Sequence, residues 1–299
     1  MSDSAAGEIE ALVDGFHAQE RIRVWSLVIT VFGDAVIPRG GELWLGSLQD
    51  LMGRLRIEPT ALRTAMSRLT ADGWLTRSKI GRKSFYRLAP AGEEEFAQAA
   101  LRIYGPSAGL WSGQWLVLVL SSEAGEGRDA RRRQLRAGGF GALTPNVFIR
   151  PDVDNGAPAP VIQNGEFLFK SSLDRETDAR SMVAQAWRLD EIEQSYVDFI
   201  NRFARLKRAL DSNGQLDPLS AMAARSLLIH HFRRLALRDP AFPSQLSPQN
   251  WPGDKARALA ASIYGHLADP SEAWLDTCVN ARDQAIAQPQ IDIARRFAV

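Results

Sequence analysis

One cysteine in 299 residues, Cys278, excludes an intrachain disulfide and a zinc site built on cysteines, and it fits a reducing compartment. Its setting reads as helical, so a small packing residue is the expected role. No apolar run reaches the ~18 residues that a membrane span needs. The N-terminus carries Asp3, Glu8, Glu10 and Asp14 where a targeting leader would carry basic and then apolar residues. The chain is therefore expected to be soluble and cytoplasmic. Net charge is also lacking: 36 Lys+Arg against 35 Asp+Glu leave +1, so any contact with a polyanion has to be local. What is present is length and apolar content, since 299 residues with 45% hydrophobic side chains support two or three cored domains.

The most informative stretch is Glu58 to Leu88, EPTALRTAMSRLTADGWLTRSKIGRKSFYRL. Pro59 suits a first helical turn, where its missing N–H leaves nothing unpaired, and Gly73 suits the left-handed position just past a helix end. Between them Leu62, Ala65, Met66 and Leu69 recur at i, i+3, i+4, i+7, the spacing of a buried stripe. That stripe turns Thr60, Arg63, Thr64, Ser67 and Arg68 toward solvent. Arg can pair bidentately with guanine in a major groove, while Ser and Thr reach phosphates or base edges. Two strand-like runs follow, Trp74 to Ser78 and Ser84 to Leu88, joined by a basic tip with Gly81, Arg82 and Lys83. Helix plus basic hairpin predicts a winged helix-turn-helix. Leu75 and Arg77 share a face by parity, so the first wing strand must twist, end or bulge early.

Charge segregation supports the same reading. From Arg39 to Leu88 ten bases stand against four acids, so 10 − 4 gives +6 and the remainder of the chain is 1 − 6 = −5. A basic head on a neutral protein is the footprint of a duplex-binding module, whereas a solvated helix face needs no such segregation. Upstream, Arg21 to Phe32 reads as a scaffold helix, Gly33 to Glu42 as a connector, and Trp44 to Leu45 as a short strand. Ser47 with Asp50 resembles a capping box for a helix over Ser47 to Leu55, and Ser47 joins the expected DNA-contacting set.

Further on, Glu93 to Tyr104 predicts a connecting helix, and Gly105, Pro106 and Ser107 mark a boundary. Four strand candidates follow: Gln114 to Ser121, Phe140 to Leu143, Val147 to Pro151 and Phe167 to Lys170. Between the first two lies an arginine-rich helix with Arg128, Arg131, Arg132, Arg133 and Arg136, read as the solvated face of a helix on a sheet rather than a phosphate reader. The pattern is of split βαβ type. A second helix is not legible in Asp152 to Gly165, which holds Pro158 and Pro160. From Thr177 the chain reads as helices over Trp187 to Leu210, Leu219 to Leu237, Ala256 to Leu267 and Glu272 to Ala287.

The runs GDAVIPRGGELWLGSL, LRTAMSRLTADGWL, GRKSFYRL, IHHFRRLALRDPAFP and NWPG together resemble the PaaX family over nearly the whole chain. The resemblance implies an α+β protein in four parts. Residues 1–19 form an arm or short helix, 20–104 a winged-helix DNA-binding domain with its connecting helix, 105–176 a ferredoxin-like domain, and 177–299 a helical effector or dimerisation domain. It also implies a homodimeric repressor of a phenylacetate-type catabolic operon, bound to double-stranded operator DNA and released by an aryl-coenzyme A thioester such as phenylacetyl-coenzyme A, without a cofactor, metal or catalytic residue.

A ferredoxin-like middle is similar to that of a small CRISPR-associated nuclease, which raises a metal-dependent nuclease as the alternative. That nuclease ends its first strand on an Asp, whereas Ser121 and Ser122 stand here, with Glu123 the nearest carboxylate. His230 and His231 invite a metal or acid-base reading, yet neighbours on a helix point about 100° apart, and satisfied histidines are the expectation. Arg233, Arg234 and Arg238 could grip the phosphates of a coenzyme A thioester, with Trp251 stacking on a ring. Ordinary helix surface and loop anchoring is the plain alternative for these four.

Overall fold

The computed structural model describes residues 4–18, 23–105, 111–120, 127–153, 160–212, 214–243, 245–282, 284–293 and 296–297. Its order begins α1 (Ala5–His17), α2 (Val24–Val31), β1 (Glu42–Trp44), α3 (Leu45–Arg54), α4 (Pro59–Ala71), β2 (Leu75–Ile80), β3 (Lys83–Leu88) and α5 (Pro90–Tyr104). It continues with β4 (Trp111–Val119), α6 (Arg128–Ala137), β5 (Gly141–Ala142), β6 (Val147–Val153), β7 (Phe167–Ser172), α7 (Glu176–Ala186), α8 (Leu189–Asp211), α9 (Pro218–Ala236) and α10 (Pro252–Asp276). Two antiparallel sheets, in orders β1-β3-β2 and β5-β6-β4-β7, make the fold mixed α and β.

The chain groups into two compact units. Residues 1–105, 197–237 and 255–299 form one; residues 106–196 and 238–254 form the other. This grouping departs from a linear division at residue 177, because α9 and most of α10 belong with the N-terminal head. The reason lies in α9, which is buried without interruption from Ser220 to His230 and packs on α1, α2, α3 and α5. A helix apolar or small on every side needs partners all round, and the head supplies them.

Three local expectations are corrected in the head. Gly33 to Arg39 is not a connector: α2 runs on through a π-helical turn, Phe32–Val36, and a 3-10 turn, Ile37–Arg39, before Gly40 at φ +88° ends it. The π turn carries Asp34 inward, where its carboxylate accepts from Arg225 Nε at 2.7 Å, Arg296 Nη1 at 2.6 Å, Tyr104 Oη at 2.7 Å and Tyr264 Oη at 2.9 Å. Burial pushes the Asp34 pKa up, but the two guanidiniums win and hold it below the ordinary value. Arg225 also pairs with Glu272 at 2.6 Å, and Arg39 pairs with Glu272 and Asp276. The capping box is likewise absent, since α3 begins at Leu45 after Trp44 and no side chain caps it. The parity conflict in the first wing strand resolves by exposure: Leu75 is buried and the rest of β2 leaves the core.

At the other end, the two helices expected at Ala256 to Leu267 and Glu272 to Ala287 are one helix, α10, that passes through Pro270 and stops at Asp276. Cys278 is therefore in the turn beyond the helix, buried, and its thiol pKa is pushed up by that burial to about 11.

In the smaller unit β4 pairs antiparallel with both β6 and β7, and β5 with β6. Alternate residues build a core on each face of the sheet. Trp115 and Ile149 pack with Ala179 and Val183 of α7, while Leu118 and Phe148 pack with Leu135 of α6. Helix α7 follows β7, in the stretch that reads as helical from Thr177, and the described residues between β6 and β7 hold no helix. Of the α6 arginines, Arg131 makes a bidentate pair with Glu166 at 2.7 Å for both contacts, and Arg132 donates to the Pro145 carbonyl at 2.9 Å. These guanidiniums hold the fold together.

Candidate nucleic-acid interface

Helix α4 buries Leu62, Ala65, Met66 and Leu69 and packs against α2. Thr60, Arg63, Thr64, Ser67 and Arg68 are all exposed on its other side. Arg63 makes no ion pair among the described residues. Arg68 lies 5.4 Å over the Trp25 ring and donates to Asp72 at 3.3 Å, which aims its guanidinium along the helix rather than away from it. The Thr64 hydroxyl donates back to the Thr60 carbonyl at 3.0 Å, leaving its methyl outward.

The hairpin beside it is tight: Ile80 faces Lys83, so Gly81 and Arg82 alone form the turn, and Gly81 takes φ +57°. An Asn, Asp or Gly is what such a turn prefers, because a Cβ is strained there. Arg82 is exposed at the tip, and Lys83 sits 5.4 Å over the Trp44 ring at the foot of β3. Arg77 donates to Ser84 Oγ at 2.8 Å, and Arg87 to the Gly40 carbonyl at 2.5 Å.

The structure sharpens the charge count. Of the ten bases from Arg39 to Arg87, Arg39 is buried against Glu272 and Asp276, Arg54 pairs with Glu10 at 2.8 Å, and Arg56 pairs with Glu10 and Asp14. Arg68 also pairs with Asp72 at 3.3 Å and Arg87 with Glu42 at 3.6 Å. Setting these five aside leaves Arg63, Arg77, Lys79, Arg82 and Lys83, so the acids of α1 neutralise the back of the head and the remaining positive charge concentrates on α4 and the hairpin.

Ser47 does not belong to this surface. It is buried on α3, because it lies on the inward stripe with Leu48 and Leu51. The four candidate effector residues also fare differently from one another. Arg233 donates to the carbonyl and hydroxyl of Ser26, and burial pulls its pKa down to about 10, so it ties α9 to α2. Trp251 packs edge-on to Tyr196, and its indole N–H donates to Asp239 at 3.4 Å. Arg234 and Arg238 remain exposed, one in each unit. His230 Nδ1 lies 3.1 Å from Thr30 Oγ1, whose own proton goes to the Ser26 carbonyl. The imidazole is therefore the donor, and burial drops its pKa to about 2. Burial lowers His231 to about 3.

Ser121, Ser122 and Glu123 fall outside the described residues. Among the described residues no three His, Cys, Asp or Glu side chains gather to hold a metal ion, and no helix is long and apolar enough to cross a membrane.

Fold and surface define an α+β protein whose head concentrates positive charge on one helix and one hairpin. The chain belongs to the PaaX-like protein family: residues 23–92 match that family and residues 187–277 match its C-terminal domain. The transcriptional repressor PaaX of Escherichia coli is 34% identical over 264 residues, covering 84% of this chain and 82% of the relative. An uncharacterized protein from Mycobacterium tuberculosis has a similar solved structure, with a TM-score of 0.52 over 91% of this chain and 99% of that one at 19% identity, a likeness of fold alone. A nuclease assignment finds no support among these relatives.

Proposed function

We propose that this chain is a DNA-binding transcriptional repressor, a regulator rather than an enzyme, controlling an aromatic-acid operon of phenylacetate type. The observation that carries the reading is the exposed face of α4, with Thr60, Arg63, Thr64 and Ser67 outward beside a cationic hairpin. The order α2-β1-α3-α4-β2-β3, with β1 paired to β3, supports a winged helix-turn-helix. In such a head α4 enters the major groove, where Arg63 reads a base edge, and Arg82 at the wing tip meets phosphate. The sheet order β5-β6-β4-β7, with α6 crossing between β4 and β5, supports a ferredoxin-like middle domain. The name of the Escherichia coli relative supports repression.

A homodimer would place two heads on paired half-sites about one helical turn, or a multiple, apart. An aryl-coenzyme A thioester is the inducer that the family resemblance implies. To test the DNA-binding reading, bound duplexes are selected from a random pool and then incubated with magnesium or manganese. Retarded, intact duplexes with a shared paired motif are expected. Absence of retardation, or metal-dependent cleavage abolished by EDTA, overturns the proposal.

A further inference from the structure

The outward side chains of α4 divide by what their polar atoms already do. Thr64 Oγ1 donates to the Thr60 carbonyl at 3.0 Å, and Thr70 Oγ1 donates to the Met66 carbonyl at 2.9 Å. Arg68 gives its Nε proton to Asp72 and lies over Trp25. Thr60, Arg63 and Ser67, by contrast, spend no side-chain hydrogen bond on any described residue. Thr60 differs from Thr64 because it stands in the first turn of the helix: the carbonyl four residues back is that of Arg56, in the preceding turn, where the backbone takes φ +56°.

The bond from Thr64 to Thr60 fixes what Thr64 shows to solvent. A threonine in a helix has few χ1 wells, and the one that turns Oγ1 onto the carbonyl of the preceding turn leaves Cγ2 outward. Ala61, three residues earlier and so a neighbour on the helix surface, is half-buried and adds a second methyl beside it. Among the guanidinium of Arg63 and the hydroxyls of Thr60 and Ser67, the face thus carries one small apolar spot. Base edges in a major groove display a single apolar group, the C5 methyl of thymine. Purines place acceptors there instead, for which Thr64 has no proton left to give.

We infer that Thr64 is a specificity-determining residue that reads thymine: each half-site carries a thymine whose C5 methyl packs on Thr64 Cγ2, beside the base pair that Arg63 reads. The inference rests on the reading above in which α4 enters the major groove, and it names a feature of the DNA which that reading leaves open. Helix geometry places the thymine. Cα atoms of neighbouring residues are ~3.8 Å apart and successive bases on a strand are ~3.4 Å apart, so Arg63 and Thr64 address neighbouring pairs.

Duplexes selected from the random pool and bound by the full chain supply the probe. Each thymine of one half-site is replaced in turn by deoxyuridine, which keeps the pairing and the O4 acceptor and loses only the C5 methyl. At one position the wild type is expected to bind roughly fourfold more weakly, the worth of one buried methyl. Thr64→Ser keeps the hydroxyl and its bond to Thr60 but removes Cγ2. It should bind the thymine duplex more weakly by a similar factor, and bind the thymine and deoxyuridine duplexes alike. Thr64→Val keeps a methyl and removes the hydroxyl, and should still discriminate between the two. Residue 64 is exposed, so neither substitution touches the core. Equal binding by wild type of thymine and deoxyuridine at every position overturns the inference, as does undiminished discrimination by Thr64→Ser or its loss in Thr64→Val. Retardation without dependence on the methyl sinks the inference alone, whereas no retardation of any duplex sinks the DNA-binding reading and the inference with it.

Discussion

Arg63 and Arg82 are both exposed arginines in the head, but one stands on a helix and the other on a turn, and this sets what each can do. A guanidinium held by α4 has a defined direction and can read one base. Arg63→Ala is expected to relax preference at one operator position by ~1–3 kcal/mol, while Arg82→Ala weakens every sequence alike and lowers the salt slope by ~1. Binding titrations against single-base operator variants at several salt concentrations separate the two outcomes, and equal, sequence-blind losses would show that α4 is not inserted. Lys83, the base beside Arg82, is a poorer probe, since its ammonium already lies over Trp44. A different kind of residue is Asp34, which has two guanidiniums and two phenols on one carboxylate. Asp34→Ala takes from Arg296 its carboxylate and leaves Arg225 with Glu272 alone in the interior, and a loss of ~3–5 kcal/mol in denaturant unfolding is expected. The exposed pairs of Arg56 with Glu10 and Asp14 offer a control whose removal should scarcely move the midpoint.

At the scale of elements, α2 and α9 are joined by His230 and Arg233, and the histidine makes that joint sensitive to acid. Burial, then the charges of His231, Arg233 and Arg234, hold its pKa near 2 against an ordinary 6.5. Below pH 6.5 the unfolded chain takes up a proton that the folded chain refuses, so stability is full above that value and falls as pH drops toward 2. The slope for this one group is about 1.4 kcal/mol per pH unit. Unfolding midpoints at pH 7, 6 and 5 should show it together with the equal slope from His231, whose pKa burial lowers to about 3, so His230→Gln should roughly halve the combined slope; an unchanged slope would mean that His230 is not buried neutral. The elements that sequence patterning made legible are those whose signals are local. Helix α4 has its stripe, Pro59 and Gly73 within a dozen or so residues, and the hairpin has Gly81 between two strand-like runs. The π turn was hidden because Gly33, Pro38, Gly40 and Gly41 look like punctuation, while the residue that justifies the turn, Arg225, lies 191 positions away from Asp34. Ser47 misled for a similar reason, since a Ser-x-x-Asp spacing fits a cap but the strand residue Trp44 already starts the helix. The break expected near Pro270 failed because burial of Leu267, Ala268, Ser271, Trp274 and Leu275 on one side of α10 outweighs a single missing backbone donor.

For the whole molecule, the decisive fact is that the head carrying α4 and the hairpin shares a compact unit with residues 197–237 and 255–299. The head's first helix continues directly into the turn that carries Asp34, and Asp34 is bound by α9 through Arg225 and by the chain end through Arg296. A ligand that shifts α9 or α10 therefore acts on the support of α4 through contacts already made, since α9 packs on both α2 and α3 and α4 packs on α2. Such coupling needs differential binding and nothing more. A hundredfold loss of operator affinity corresponds to ~2.8 kcal/mol, inside the usual allosteric range. The expected inducer is a coenzyme A thioester of an aromatic acid rather than the free acid, and phenylacetyl-coenzyme A, phenylacetate and coenzyme A are to be titrated separately, each with and without operator. Linkage then fixes a second number in advance: whatever factor the thioester takes from operator affinity, operator must take from thioester affinity. Release by phenylacetate alone, or no release by any aryl thioester, would remove the inducer assignment while leaving DNA binding intact. If release occurs but Arg225→Met, in a chain shown to remain folded, abolishes it without changing thioester affinity, the buried ion network is the path by which the helical region speaks to the head. Retained release in that variant would place the coupling on the apolar packing of α9 against α2 and α3 instead.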